Sequence, residues 1–84
     1  MLELYQAEGC PHSESVREKL TELGLSYVVH NPRTPDDEVC NERTNAILEQ
    51  VGGEAQIPYL VDSGREEAMY VSDAIVDYLE AHYA

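Results

Sequence analysis

Positive charge is what this sequence lacks most. Lys19 is its single lysine, and with the arginines there are five cationic residues against 17 acidic ones, which gives a net charge of −12. Such a surface repels phosphate groups, so nucleic acid and anionic membranes are excluded as partners. The acidic residues are spread over the whole chain and do not form a tail. This distribution favours a surface adapted to high salt, as in a halophile, over an ordinary acidic protein.

Cysteine is also scarce, and long apolar runs are absent. Two cysteines are too few for the disulfide framework of a small secreted protein. The N-terminus has no basic segment followed by an apolar run, and no stretch approaches the roughly 20 apolar residues that cross a bilayer. We therefore expect a soluble, reduced and cytoplasmic protein. Its 84 residues predict one domain over 1–84, close to the size at which folding becomes marginal.

Apolar periodicity and turn residues predict the element order β-α-β-α-β-β-α. Strands are predicted at 2–5, 26–29, 59–61 and 68–71, and helices at 10–24, at 36–51 and from 72 onward, with Ser72 as the cap of the last one. The first two strands should pair in parallel across the first helix, by the right-handed crossover rule. The last two should form an antiparallel hairpin, because residues 62–65 have the composition of a turn.

The segment Cys10-Pro11-His12-Ser13 stands where the first strand gives way to the first helix. Pro11 suits the first turn, because its missing N–H costs nothing there. A cysteine at a helix start meets unpaired backbone N–H groups and the positive end of the helix dipole, which favour the reactive thiolate. The nearby Glu8 and Glu14 carboxylates act in the opposite direction. The motif predicts thiol-disulfide chemistry at Cys10, with a plain helix-start residue as the alternative.

Three motifs resemble those of a glutaredoxin in the thioredoxin-like superfamily, and the resemblance covers nearly the whole chain. They are Tyr5 ahead of Cys10-Pro11-His12-Ser13, Gln56-Ile57-Pro58, and Val71-Ser72-Asp73 at the start of the last helix. The chain is also similar to the N-terminal domain of glutathione transferases. The resemblance implies a thioredoxin-like α/β fold, with a four-stranded mixed sheet flanked by three helices.

The resemblance also implies which residues bind a thiol ligand. In the family, the proline that matches Pro58 follows a cis peptide bond and faces the cysteine, and the residue that matches Ile57 pairs with the ligand through its backbone. Ser72 and Asp73 match residues that bind the γ-glutamyl end, in agreement with carboxylate binding at a helix N-terminus and amino-group binding by an aspartate. His12 is expected to pack beside the site, with direct proton transfer as the alternative.

Ser13 is the most informative residue after Cys10, because dithiol members of the family have a second cysteine at this position. A hydroxyl cannot exchange with a disulfide, so a second thiol molecule must resolve the adduct on Cys10. We therefore expect a monomeric monothiol oxidoreductase that acts on protein mixed disulfides and has no permanently bound cofactor. Many glutaredoxins carry a cation where this chain has Ala7, which leaves glutathione and the shorter γ-glutamylcysteine open as co-substrate. Arg43 or Asn45 would be the residues to compensate.

Cys40 is expected to be a structural thiol. In the predicted second helix it shares a face with Thr44, Ile47 and Val51, which places it toward the core or its margin. A role in resolving the Cys10 adduct would require a Cα separation below about 7 Å between the two cysteines.

Two other classes of function stay open. Cys10 from two subunits, with two small thiols, would ligate a shared iron-sulfur cluster, although cluster-binding relatives usually have glycine and phenylalanine inside the motif. A non-catalytic thiol-binding module is the other class. A complete transferase is not expected, because the chain stops at Ala84 without a second domain. No structural metal is expected either, because the two cysteines lie in different elements, there is no third or fourth cysteine, and only His30 and His82 are otherwise uncommitted.

Overall fold

Four strands and three helices follow one another in the predicted order in the computed structural model, which describes residues 1–84. They are β1 (Leu2–Tyr5), α1 (Pro11–Glu22), β2 (Tyr27–His30), α2 (Glu42–Gly52), β3 (Tyr59–Asp62), β4 (Glu67–Tyr70) and α3 (Ser72–Tyr83). The sheet order is β2-β1-β3-β4, with β1 and β2 parallel and the other pairs antiparallel. The predicted thioredoxin-like α/β fold is thus confirmed. None of the helices has the length and hydropathy needed to span a membrane.

Side-chain alternation along the central strands divides the core between the two faces of the sheet. Leu4 of β1 lies opposite Leu60 of β3, and both are fully buried in a cluster with residues of α1 and α3. The members of this cluster are Leu2, Leu4, Val16, Leu20, Leu60, Ile75 and Leu79. The neighbouring Tyr5 and Tyr59 face the other way and pack with Leu48 of α2. Helices α1 and α3 therefore cover one face, and α2 covers the other.

The strand register brings four chain segments to one end of the sheet. Tyr5, the last residue of β1, pairs with His30 at the end of β2 and with Tyr59 at the start of β3. Tyr59 in turn pairs with Tyr70 at the end of β4. The segments that follow β1, β2 and β4 and the one that precedes β3 consequently lie at the same end. Each of the predicted ligand and catalytic residues belongs to one of these segments or to the start of the helix that follows.

The second helix begins at Glu42, so the prediction that it starts at Asp36 was wrong. The Thr34 hydroxyl accepts two backbone N–H groups from the acidic stretch 36–38, and this holds the stretch in a turn. Asp37 has a φ of 66°, which a right-handed helix excludes. The side chain of Asn41 then caps α2.

Cys40 consequently lies outside α2, and its side chain is exposed. Its Sγ donates a hydrogen bond to the carbonyl oxygen of Asn31 at 3.2 Å. Ile47 and Val51, the residues predicted to share a buried face with it, are 42% and 52% exposed. The prediction that Cys40 lies toward the core or its margin was wrong, because it applied helical periodicity to a residue in the preceding loop.

Gly52, at the end of α2, is a position where β4 comes too close for a side chain. A Cβ atom built there would overlap the hydroxyl of Tyr70 and lie 2.8 Å from its ring Cζ. That hydroxyl donates to the carbonyl oxygen of Glu54 at 2.7 Å and accepts the Glu54 N–H. We expect Gly52→Ala to lower the free energy of unfolding by about 1–3 kcal/mol through this overpacking. Urea unfolding is the measurement.

Gly64→Ala is the matched control for this prediction. A Cβ at Gly64 would lie 3.6 Å from the nearest atom, an ordinary van der Waals contact. Its stability should stay within about 0.5 kcal/mol of the wild type. If both substitutions were equally mild, the close approach of Tyr70 to α2 would be contradicted.

Candidate functional site

Cys10 occupies the N-cap of α1, and Pro11 follows as the first helical residue. The first intrahelical hydrogen bond joins the Glu14 N–H to the Cys10 carbonyl oxygen at 2.9 Å. The N–H groups of His12 and Ser13 therefore have no partner within the helix. Backbone hydrogen bonding from these two residues instead lowers the pKa of the Cys10 thiol. The predicted start of the first helix is thus confirmed, and the unpaired backbone N–H groups of its first turn act on the thiol.

The surroundings of Cys10 favour the thiolate. Partial burial raises the pKa of the Cys10 thiol, but hydrogen bonds from Ser13 and His12 and the positive charge of Arg17 outweigh it, so the pKa falls below its ordinary value. The Glu8 carboxylate, which the sequence suggested would oppose this, lies 3.4 Å from Nε of Arg17. Its charge is therefore partly neutralised.

Ser13 has a structural role in the loop before the helix. Its side chain is fully buried, and its Oγ accepts the Ala7 N–H at 3.3 Å. Because the oxygen serves as the acceptor for Ala7, the hydroxyl proton is free to donate to the Cys10 sulfur. Ser13 thus links the thiol to the loop that precedes it.

A groove of about 310 Å³ lies at this end of the sheet. It is lined by His12, Gln56, Ile57, Pro58, Val71, Ser72 and Asp73. The fold thus brings together seven residues from three distant stretches of chain. The sequence had singled out five of these residues. Cys10, Pro11 and Ser13 do not line the groove, and His12 is the residue of this motif that does. The peptide bond between Ile57 and Pro58 is cis.

The start of α3 forms one wall of the groove, and it differs from the prediction. Val71, not Ser72, is the N-cap, and no side chain caps the helix. Val71 has a φ of 72°, a left-handed conformation that costs a β-branched residue about 1–3 kcal/mol. The first intrahelical bond runs from Ile75 N–H to the Val71 carbonyl oxygen. The N–H groups of the first turn are therefore free for a ligand.

The groove contains no lysine or arginine, and its single carboxylate is that of Asp73. The two residues expected to replace the cation missing at Ala7 do not do so. Asn45 is buried, and its Oδ1 accepts a hydrogen bond from Arg33 Nη1 at 2.8 Å. Arg43 is exposed and does not line the groove. The groove thus has no fixed positive charge.

Sequence reasoning missed Arg17 and Gln56. Arg17 follows Cys10 by seven residues, two turns along the same face of α1, and this spacing could have indicated it. Gln56 lies beside Ile57-Pro58 and was quoted in the motif without being assigned a role. Cys40 is not part of the groove, and both cysteines are free thiols. No group of three or more His, Cys, Asp or Glu side chains is arranged to hold a metal ion.

Comparison with known proteins agrees with this geometry. The profile of the family described as "Glutathione S-transferase, N-terminal domain" matches residues 4–84. Glutathione transferase E6 from Drosophila melanogaster is 26% identical with a TM-score of 0.78, and the match covers 100% of this chain and 36% of that one. Glutathione transferase URE2P8 from Phanerochaete chrysosporium, solved with oxidized glutathione, is 25% identical with a TM-score of 0.76, over 98% of this chain and 36% of that one.

A diazinon-metabolizing glutathione S-transferase from the silkworm Bombyx mori shares the fold, with 24% identity, a TM-score of 0.74, and coverage of 99% of this chain and 38% of that one. No curated protein matches the sequence. The chain thus spans little more than a third of the length of these solved neighbours. Of the two resemblances in the sequence, the one to transferases is shown, whereas the glutaredoxin type stays a prediction. The chain belongs to the family of glutathione S-transferase N-terminal domains.

Proposed function

We propose that this domain is a glutaredoxin-type monothiol oxidoreductase that reduces mixed disulfides between proteins and a low-molecular-weight thiol. The observation that carries the proposal is the Cys10 thiol at the start of α1. Its pKa lies below the ordinary value, because the lowering by hydrogen bonds exceeds the raising by burial. Ser13 stands where a second thiol would be needed for internal resolution. Cys40 is exposed and outside the groove. Cys10 is therefore the only thiol assigned to the reaction.

The reaction proceeds in two exchanges. In the first, the Cys10 thiolate attacks the small-thiol sulfur of the mixed disulfide, the old S–S bond breaks, and the protein substrate leaves as a thiolate that takes a proton from water. In the second, the thiolate of another small thiol attacks the adduct on Cys10. This releases a disulfide of two small thiols and restores the Cys10 thiolate. Across the two exchanges the protein sulfur is reduced to a thiol and the incoming small thiol is oxidised, because it ends in the small-thiol disulfide, and no resident cofactor is required.

The groove supports a γ-glutamyl thiol as co-substrate. The free N–H groups at the start of α3 and the Ser72 hydroxyl suit an α-carboxylate, and Asp73 suits the α-amino group. The backbone of Ile57, before Pro58, suits the peptide part of the ligand. The neighbour from Phanerochaete chrysosporium was solved with oxidized glutathione, which supports a ligand of this class.

Glutathione and γ-glutamylcysteine are the two candidates for the co-substrate. The absence of lysine and arginine from the groove favours the shorter one, because no fixed cation meets the glycine carboxylate of glutathione. We further propose that the protein is a monomer and acts on protein mixed disulfides in the reducing cytoplasm. Its acidic surface is then an adaptation to high salt, as in a halophile.

The test compares the turnover of one protein's mixed disulfides with glutathione and with γ-glutamylcysteine, in high salt. We expect both to be reduced, with γ-glutamylcysteine at least as good a substrate. Asp73→Asn should raise KM by roughly 10- to 100-fold, the cost of one charge-assisted hydrogen bond. Asp77→Asn, an exposed residue one turn along α3, is the matched control and should leave KM unchanged. A strong preference for glutathione would contradict the shorter thiol, and no turnover with either would contradict the oxidoreductase.

A further inference from the structure

Arg17 joins three consecutive residues of the loop that leads from β1 to Cys10. Its Nη1 donates to Oε1 of Gln6 at 2.5 Å and to the carbonyl oxygen of Ala7 at 3.3 Å. Its Nε lies 3.4 Å from the Glu8 carboxylate. The Arg17 side chain is only 19% exposed, and Gln6 is 1% exposed. The long side chain of Arg17 is thus held in one place, in a protein that has only five cationic residues.

The peptide groups of Ala7 connect this arginine to the reactive sulfur. The Ala7 carbonyl oxygen, which accepts from Arg17, also accepts the Cys10 N–H at 3.3 Å. The Ala7 N–H donates to Oγ of Ser13, the hydroxyl that hydrogen-bonds the Cys10 sulfur. Any shift of Ala7 would therefore move both Cys10 and Ser13.

Arg17 also determines the charge beside the thiol. Glu8 is two residues before Cys10, and its carboxylate is mostly exposed apart from the pair with Arg17. Without the guanidinium, this carboxylate would act on the sulfur as an uncompensated like charge. A second restraint keeps the arginine in place, because Gln6 Nε2 donates to Oδ1 of Asn31 and thereby fixes the amide that accepts from Arg17.

We propose that Arg17 is a positioning residue for Cys10, which holds the Ala7 peptide groups in the geometry that Cys10 and Ser13 require and neutralises Glu8 beside the thiolate. This inference rests on the proposed function in taking Cys10 as the nucleophile. It adds a residue from the second turn of α1 to the machinery of the site. Lysine is a poor substitute, because a single ammonium cannot reach three acceptors in the fork geometry of a guanidinium.

The pH dependence of Cys10 alkylation by iodoacetamide tests this inference. The measurement is made in a Cys40→Ser background, since Cys40 is exposed and would react as well. At pH 7 we expect Arg17→Met to react roughly 3- to 10-fold more slowly, with its profile displaced to higher pH, because less thiolate is present. Arg17→Lys should fall between this variant and the wild type. Adding Glu8→Gln to Arg17→Met should restore part of the rate.

Arg43→Met is the matched control, because it removes the same charge from an exposed position away from the groove. Its alkylation profile should coincide with that of the wild type. If Arg17→Met only lowers the melting temperature and leaves the midpoint of the pH profile unchanged, Arg17 is a structural residue and the inference is overturned. Alkylation does not require turnover of mixed disulfides. A displaced profile in Arg17→Met together with a wild type that shows no turnover would overturn the proposed function and leave this inference standing.

Discussion

Replacing Cys10 by serine should lower the rate of mixed-disulfide reduction by at least about 1,000-fold. A serine hydroxyl at this position neither ionises near neutral pH nor forms a disulfide, so the first exchange has no nucleophile. Cys40→Ser is the matched control, since it makes the same chemical change in a thiol outside the groove. It should retain nearly full activity. Initial rates with a single mixed disulfide, measured for both variants and the wild type, give the comparison.

Mass spectrometry provides the second readout of this prediction. After exposure of the wild type to the disulfide of glutathione or γ-glutamylcysteine in high salt, we expect one adduct, on the peptide that contains Cys10, which reduction removes. The Cys40 thiol donates a hydrogen bond to the carbonyl oxygen of Asn31, an interaction that only the protonated thiol makes, so it should react far more slowly. An adduct that forms first on Cys40, or turnover that survives in Cys10→Ser, would assign the chemistry to the other thiol.

Removing the Asp62 carboxylate should cause the largest loss of stability among the polar substitutions. Asp62 ends β3 and is 2% exposed, and its Oδ2 accepts the Tyr78 hydroxyl at 2.7 Å and the Tyr83 hydroxyl at 2.6 Å. These bonds hold the second half of α3 against the sheet. Asp62→Ala leaves both hydroxyls without a charged acceptor, so we expect the free energy of unfolding to fall by about 3 kcal/mol. Urea unfolding at neutral pH is the measurement.

The same carboxylate predicts a dependence of stability on pH. Burial raises the pKa of Asp62, but the two tyrosine hydroxyls and a backbone N–H outweigh it and leave the folded-state pKa below its ordinary value. The group therefore stabilises the fold above its unfolded-state pKa, and this contribution is lost as the pH falls through the lower folded-state pKa. The pKa of Tyr78 shifts in the opposite direction, because burial and the Asp62 carboxylate raise the pKa of its hydroxyl.

The difference in stability between wild type and Asp62→Asn isolates this effect. In each protein alone, acid also relieves the repulsion among the other carboxylates of a chain with 17 acidic residues. In the difference that relief cancels, and the advantage of the wild type should shrink toward low pH. Asp77→Ala, an exposed change of the same charge on α3, should cost less than about 0.5 kcal/mol. A constant difference at all pH values would mean that the carboxylate charge is not what the tyrosines recognise.

The acidic surface of this small domain opposes the formation of a thiolate at Cys10. A net charge of −12 disfavours another negative charge and slows the approach of an anionic thiol. At about 1 M salt the Debye length is roughly 3 Å, which screens the distant carboxylates but not groups that touch the sulfur. The N–H groups of His12 and Ser13 are contacts of that kind. The thiolate is therefore stabilised by direct contacts, which a salt-rich surrounding leaves in place.

Local signals explain why most of the fold was predictable. Alternation marked β1, the step from Cys10 to Pro11 marked the start of α1, and turn composition marked the hairpin, since each depends on residues adjacent in sequence. The start of α2 was missed because side-chain contacts hold the preceding stretch in a turn, with the Thr34 hydroxyl accepting the N–H groups of Asp36 and Glu38. Arg33 pairs with Asp37 in the turn and with Asn45 inside the helix. No periodicity in the sequence reports such a contact.

The sequence by itself determined the order of strands and helices, the position of Cys10 at the start of α1 and the presence of serine three residues later, because hydrophobic period, helix-start chemistry and residue identity are local properties. Only the tertiary structure decided that Arg17 neutralises Glu8 and that Cys40 is exposed. It also decided that the wall of the groove begins at a strained Val71. These features depend on which segments meet at one end of the sheet. That meeting follows from strand register and packing between residues far apart in the chain.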